Sequence, residues 1–255
     1  MYAKKSLGQH FLTSQGALAK IIEAGNLKKI DVVLEIGPGK GVLTEKLLEQ
    51  VKKVIAIEKD NALFELLKEK FKKEIKNKKL ELLNADILDY EPRGEYKLIA
   101  NIPYNITGAI LEKFLSAEHQ PELAVLLVQK EVAERIVAKN DKESILSISV
   151  KVYGEPKYIQ TVKAGSFSPA PKVDSAIIAI ENISKDFFRD FSEKDFFTAL
   201  RAGFKSKRKK LSSNLSKIYP KEHVKETFQE IGLDDNLRAE DLSVSGWINL
   251  VKNLL

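Results

Sequence analysis

The sequence predicts a doubly wound α/β domain followed by a small all-helical one, and three observations carry that expectation. Short runs rich in Val, Ile and Leu alternate with segments of helical spacing over roughly the first 140 residues, the pattern of a parallel sheet covered by helices. A glycine-rich turn, Gly37-Pro38-Gly39-Lys40-Gly41, directly follows the first of these runs. From Ser184 onward strand-like runs disappear, and apolar residues recur at helical intervals through Phe197, Leu200, Phe204, Leu211, Leu215 and Ile218.

Taken in order, the parallel strands are expected at 32–36, 53–58, 79–83, 98–101 and 123–128. Helical spacing occupies 41–50, 61–75 and 107–117, with Asp60 placed to cap the second. After a further helix at 131–139, strand-like stretches at 146–153, 158–162 and 175–181 suggest an antiparallel edge on the parallel sheet. These elements set the expected domains at 1–183 and 184–255.

Of the 255 residues 44% are hydrophobic, enough for a sizeable core. The longest apolar run, 123–128, is far shorter than the roughly 20 residues of a membrane span. Lys4 and Lys5 precede no apolar stretch, so a secretory signal is not expected and the cytoplasm is. Without cysteine there is no disulfide or thiolate metal site, and His10, His119 and His223 lie far apart, so no metal is expected. A net charge of +6 favours a polyanionic partner. Its distribution is more telling: Arg201, Lys205, Lys207, Arg208, Lys209, Lys210, Lys217 and Lys221 fall in one stretch that contains no acid.

The glycine turn sits at a strand-to-helix junction, where open α/β sheets bind ligands. Gly37 and Gly39 allow close approach of a ligand to the backbone. Glu58 ends the second strand, where a carboxylate can accept both ribose hydroxyls of a nucleoside. Asp86 follows the third strand and can accept an adenine amino group while Ile87 packs on the ring. A nicotinamide-dependent oxidoreductase is the rival reading. Its fingerprint places a glycine three residues after the second one, whereas Val42 stands there.

Strand four ends in Asn101-Ile102-Pro103-Tyr104, which points to chemistry on an aromatic amine. Such an amine is a poor nucleophile because its lone pair is delocalised into the ring. Two acceptors that draw its protons out of the ring plane favour the tetrahedral form and aim the lone pair at a methyl donor. Asn101 offers one acceptor in its side-chain oxygen. Pro103 restrains the backbone so that a neighbouring carbonyl can serve as the second. Tyr104 can stack on an unstacked base, worth about 1 to 3 kcal/mol.

With these segments in place, the chain resembles the KsgA-type family of small-subunit ribosomal RNA adenine dimethyltransferases over nearly its whole length. The resemblance implies a Rossmann-like methyltransferase sheet and S-adenosylmethionine as cofactor. Lys5-Ser6-Leu7-Gly8-Gln9-His10-Phe11-Leu12 is similar to the family's N-terminal motif. It implies that Gln9, His10 and Leu12 contact the cofactor together with Gly37, Gly39, Glu58, Asp86, Ile87 and Asn101. Phe167-Ser168-Pro169-Ala170-Pro171-Lys172-Val173-Asp174-Ser175 is similar to a further motif, which implies Phe167 against the target base opposite Tyr104. Lys172 would meet a phosphate. Residues 204–215 resemble a basic C-terminal helix of the family, with Arg201, Lys205, Lys207, Arg208, Lys209 and Lys210 directed at RNA; Lys stands where a paired arginine is frequent.

The resemblance implies four methyl transfers to two adjacent adenines in a hairpin loop near the 3′ end of small-subunit rRNA. The expected substrate is a pre-assembled small subunit, and the expected state is a monomer without membrane association. The related erythromycin-resistance group, which methylates one large-subunit adenine, and a ribosome-assembly role with methylation secondary are the alternatives.

Overall fold

The computed structural model describes residues 9–255, so Lys5 to Gly8 of the N-terminal motif lie outside the described residues. The chain divides into two compact units, residues 1–133 with 154–183 and residues 134–153 with 184–255.

The first unit is built on a seven-stranded sheet. In chain order, β1 (Phe11–Leu12) and α1 (Gln15–Ala24) precede the first sheet strand β2 (Val32–Ile36). Then come α2 (Val42–Gln50), β3 (Lys53–Glu58), α3 (Asn61–Lys70), α4 (Lys72–Lys76), β4 (Leu80–Asn84) and β5 (Lys97–Asn101). The unit continues through α5 (Thr107–Leu115), β6 (Leu123–Gln129) and the start of α6 (Lys130–Val137). After α7 (Ile145–Lys151), which belongs to the second unit, it resumes with β7 (Glu155–Val162), β8 (Phe167–Ser168) and β9 (Ser175–Glu181).

Strand order is β4-β3-β2-β5-β6-β9-β7. The first five are parallel, and β9 and β7 add an antiparallel edge. The strands at the middle are almost entirely buried, as expected where helices cover both faces. After β2 the chain runs outward to β3 and β4, then returns to place β5 on the other side of β2. A crevice therefore opens beyond the carboxyl ends of β2 and β5.

Asp60 caps α3 by accepting from the Ala62 and Leu63 N–H groups. The helix expected over 61–75 is broken at Phe71, whose buried ring lies where a Cβ on Gly41 would fall. Helical spacing on both sides of the break hides it from the sequence. Helix α1, capped by Ser14, was not expected at all.

The second unit contains the end of α6, α7, α8 (Glu193–Gly203), α9 (Leu211–Leu215), α10 (Lys221–Glu230) and α11 (Val244–Leu254). Trp247, Phe196, Phe228, Leu211 and Leu215 fill its core, and the Trp247 ring stacks on Phe204 at 5.6 Å. Two expectations are corrected here. The strand expected over 146–153 is helix α7, because Ser144 and Ser147 form a reciprocal capping box that starts a helix despite the alternating apolar pattern. Residues 134–153 consequently group with the C-terminal helices, although the expected division kept them in the first domain.

The helix expected over 204–215 is the second correction. Helix α8 stops at Gly203, and residues 204–210 form a turn before α9. Among the described residues no helix is long and apolar enough to cross a membrane.

Candidate active site

The crevice at the sheet's carboxyl edge is lined from five places in the chain: Gln9 to Leu12, the β2–α2 turn, Glu58, Asp86 with Ile87, and Asn101 to Ile106. Parallel register brings them together. Ile36 pairs with Ile57, Glu58 with Asn84, and Asn101 with Leu127, so the strand ends form one rim.

At Gly37 the backbone turns with φ +61°, and a Cβ there would project into open space. The position is left-handed, and its smallness leaves the peptide accessible to a ligand. Glu58 fixes the turn from the next strand. Its Oε2 accepts from the Gly39 N–H at 3.1 Å, and its Oε1 accepts from the Asp60 N–H at 2.8 Å. Burial pushes this carboxyl upward, and the two backbone donors oppose the shift. Each oxygen retains a further lone pair for a hydroxyl.

Asp86 Oδ1 accepts from the Leu88 N–H at 3.0 Å, while Oδ2 meets the Lys59 ammonium at 2.6 Å. The Lys59 contact holds the Asp86 carboxyl below the usual range, so it is an ionised acceptor at neutral pH. Ile87 is buried beside it.

The tetrapeptide is the most highly specified part of the crevice. Asn101 Nδ2 donates to the His10 carbonyl at 3.1 Å. Neither Asn101 Oδ1 nor the Ile102 carbonyl accepts a hydrogen bond among the described residues. The Pro103 carbonyl, by contrast, accepts from the Ile106 N–H at 3.2 Å. Tyr104 is anchored at its hydroxyl, 2.6 Å from Ser175 Oγ, and its ring lies 5.8 Å from that of His10 with 20° between planes. Burial raises the Tyr104 phenol, and Ser175 opposes the shift.

His10 is itself held from the far side of the sequence. Strand β1 pairs with β8, placing Phe11 opposite Ser168 and Leu12 opposite Phe167, and His10 Nδ1 donates to the Pro169 carbonyl at 2.8 Å. Gln9 reaches Asp60 at 3.4 Å. Leu12 is buried yet still lines the crevice.

Two groups of expected residues are placed elsewhere. Phe167 is only 4% exposed, packs in the hydrophobic core and is not among the residues that line the crevice. Its backbone pairs with Leu12, which is buried as well. Lys172 is exposed on the loop that follows. Arg201, Lys205, Lys207, Arg208, Lys209 and Lys210 belong to the second unit, where all six are exposed. Their side chains make no ion pair or hydrogen bond among the described residues, whereas Lys20, Lys46, Lys53, Lys59 and Lys157 each pair with a carboxylate.

The sequence profile described as ribosomal RNA adenine dimethylase matches residues 1–255. The chain belongs to the ribosomal RNA adenine dimethylase family. Relatives named ribosomal RNA small subunit methyltransferase A include those of Dehalococcoides mccartyi and Fusobacterium nucleatum. The first is 44% identical, covering 97% of this chain and 87% of the relative. The second is 41% identical, covering 98% and 96%. Among solved structures, a dimethyladenosine transferase from Plasmodium falciparum superposes with a TM-score of 0.83 at 31% identity, covering 94% of this chain and 96% of that one. The 23S rRNA methyltransferase ErmE superposes with a TM-score of 0.77 at 26% identity, covering 96% and 99%.

As a ribosomal RNA adenine dimethylase, the protein is an S-adenosylmethionine-dependent methyltransferase. A feature that the sequence reading passed over fits that cofactor. Glu35 is 1% exposed near the end of β2, lines the crevice, and its Oε2 has no hydrogen-bond partner among the described residues. Burial lifts its carboxyl to about 8; the Thr44 hydroxyl opposes the rise without satisfying Oε2, and Glu58 adds to it. A buried, unsatisfied carboxyl suits a cationic ligand, whose charge would favour the ionised form, and S-adenosylmethionine carries both an ammonium and a sulfonium. The signal was available in the sequence: an acid within Val32-Val33-Leu34-Glu35-Ile36, a strand that is otherwise apolar. Lys59 and Ser175 were also missed, because only the folded chain brings them to Asp86 and Tyr104. Among the described residues no group of three or more His, Asp or Glu is placed to hold a metal.

Proposed function

We propose that the protein dimethylates the 6-amino groups of two adjacent adenines in a hairpin loop near the 3′ end of small-subunit rRNA. The substrate in this reading is a pre-assembled small subunit, and the enzyme acts as a cytoplasmic monomer. The observation that carries the chemistry is the pair of free acceptors at the end of β5. With its amide nitrogen committed to His10, Asn101 presents Oδ1, and the Ile102 carbonyl is the second acceptor. Together they hydrogen-bond the two amine protons and turn the nitrogen lone pair out of the purine ring. When bound, S-adenosylmethionine supplies an electrophilic methyl group.

Glu58 takes the ribose hydroxyls in this reading, Asp86 and Ile87 hold the adenine of the cofactor, and Glu35 balances its positive charge. No side chain has to remove a proton before transfer, so rate comes from orientation and preorganised polar contacts. For the target base, Tyr104 supplies the stacking surface, and the exposed cations Arg201, Lys205, Lys207, Arg208, Lys209 and Lys210, unpaired among the described residues, supply phosphate contacts. The choice of the small subunit is supported by the similarity to relatives named ribosomal RNA small subunit methyltransferase A.

The test is to incubate the protein with labelled S-adenosylmethionine and unmethylated small and large ribosomal subunits, then map the labelled nucleotides. Label on two adjacent adenines of the small-subunit RNA is expected. Label confined to large-subunit RNA overturns the substrate assignment and favours the erythromycin-resistance chemistry.

A further inference from the structure

The cations at 205–210 are exposed because the chain is not helical there. In an α-helix successive residues step by about 100°, so residues 207–210 would spread around most of the axis and turn some charge toward the core. The break at Gly203 avoids this, and Lys205, Lys207, Arg208, Lys209 and Lys210 are all exposed. Ser206, Lys207, Arg208 and Lys209 line a surface concavity.

Such a break leaves helix-terminal carbonyls in need of donors. Backbone N–H groups of Phe204 and Lys205 meet the Leu200 and Ala202 carbonyls, and one buried side chain meets that of Gly203. Asn214, on α9 and 1% exposed, donates from Nδ2 to the Gly203 carbonyl at 2.7 Å and to the Ser206 carbonyl at 3.1 Å. Two carbonyl oxygens can be met only by the NH₂ end of the amide, so its orientation is fixed by chemistry. Its Oδ1 is buried without a partner among the described residues, so the amide is held for its donor end at the expense of its acceptor. The turn is also pinned at its edges: a Cβ on Gly203 would fall 2.4 Å from the Trp247 ring, and the Leu211 N–H donates to the Leu237 carbonyl at 2.8 Å.

We propose that Asn214 is the positioning residue of the RNA-contacting surface, a clamp that holds the 204–210 turn so that its cations converge on the phosphate backbone of rRNA. The inference rests on the RNA-binding reading of those cations. Asn214 touches no nucleotide in it. The residue acts through the turn, by lowering the disorder that binding would otherwise have to remove.

Asn214→Asp keeps the size of the side chain and removes the donors, setting carboxylate oxygens against two carbonyls. In the full-length chain we expect at least a tenfold loss of affinity for unmethylated small-subunit rRNA and a shallower salt dependence. Trypsin cleavage within 205–210 should become much faster and the thermal midpoint should fall, because a buried carboxyl is left without donors, with S-adenosylmethionine affinity close to that of the parent. A K207A/R208A/K209A variant tests the underlying reading. If that variant binds rRNA weakly while Asn214→Asp binds normally and resists trypsin, the clamp is overturned and the RNA-binding reading stands. If the triple variant also binds normally at low salt, the RNA-binding reading itself fails. Should Asn214→Asp not fold, the parent protein decides: early trypsin cleavage within 205–210 overturns the clamp, and resistance there until the rest of the chain is cut supports it.

Discussion

The side-chain amide of Asn101 is tied to the backbone of His10 by a 3.1 Å hydrogen bond from Nδ2 to the carbonyl oxygen. The bond decides which end of the amide is available, because a carbonyl can accept only from the NH₂ end. A side chain at the tip of a parallel strand is thereby aimed by a residue 91 positions earlier. His10 owes its own place to β1–β8 pairing and to the Pro169 carbonyl. Chemistry at β5 therefore depends on two segments that carry no reacting group.

Asn101→Ala removes one of two preorganised acceptors and leaves the turn's backbone in place. Loss of methyl transfer on the order of 10²-fold or more is expected, as for deletion of a single preorganised polar contact. Affinity for rRNA should stay close to that of the parent. Single-turnover label transfer and a filter-binding titration measure the two separately. An equal fall in both would contradict the role given to Asn101.

Ser175→Ala isolates the anchor of Tyr104. Ser175 is fully buried, and its Oγ is 2.6 Å from the phenol oxygen. Removing it leaves the hydroxyl without that partner, a destabilisation of about 1 kcal/mol measurable by urea unfolding. If Tyr104 stacks on the target base, KM for RNA rises about fivefold by the same energy, with S-adenosylmethionine affinity unchanged. A stability loss with an unaltered KM would leave Ser175 a purely structural residue.

Glu35 gives a pH dependence whose sign can be worked out. Its carboxyl stands at about 8 in the fold against an ordinary value of 4.5, because burial disfavours the charged form. Between these values the folded chain binds more protons than the unfolded one, so this group's contribution to stability is intact below about 4.5 and is lost as pH rises through about 8. Glu35→Gln should flatten the fall in stability across that window. Urea melts of the ligand-free protein at several pH values provide the comparison. Saturating S-adenosylmethionine should flatten the parent's curve but not that of the variant. Parallel curves for parent and variant would rule out a neutral Glu35.

How much of this was legible in the sequence differs from segment to segment, for physical reasons. The strands Val32–Ile36, Lys53–Glu58 and Ser175–Glu181 agree with their expected limits, because sheet burial leaves an unmistakable apolar run. Residues 146–153 misled because their alternation fits a strand, while the capping serines just outside and inside the helix start are a weaker signal. The helical spacing of Phe204, Leu211 and Leu215 survives a tight turn, since all three reach one core from either side of it. At the crevice, Glu58, Asp86 and Asn101 could be read from their places at strand ends. The burial of Phe167 could not, because its core neighbours and its strand partner Leu12 lie far away in sequence.

The same turn gives the last prediction. Cations that neutralise phosphates release condensed counterions, and that release favours binding less as salt rises, so log affinity falls against log salt in proportion to the number of contacts. Lys207, Arg208, Lys209 and Lys210 have no carboxylate partner in the described chain, so none of their charge is already neutralised. Replacing all four with Ala should weaken rRNA binding and reduce the slope of log affinity against log salt by up to about 3.6, at roughly 0.7 to 0.9 per lost contact. Methyl transfer at saturating RNA should be nearly unchanged, because these residues lie in the second unit and the crevice in the first. Titrations at several salt concentrations, paired with saturated turnover, check both halves. A parental slope in the variant would make the basic turn a solvated surface and move RNA recognition to other residues.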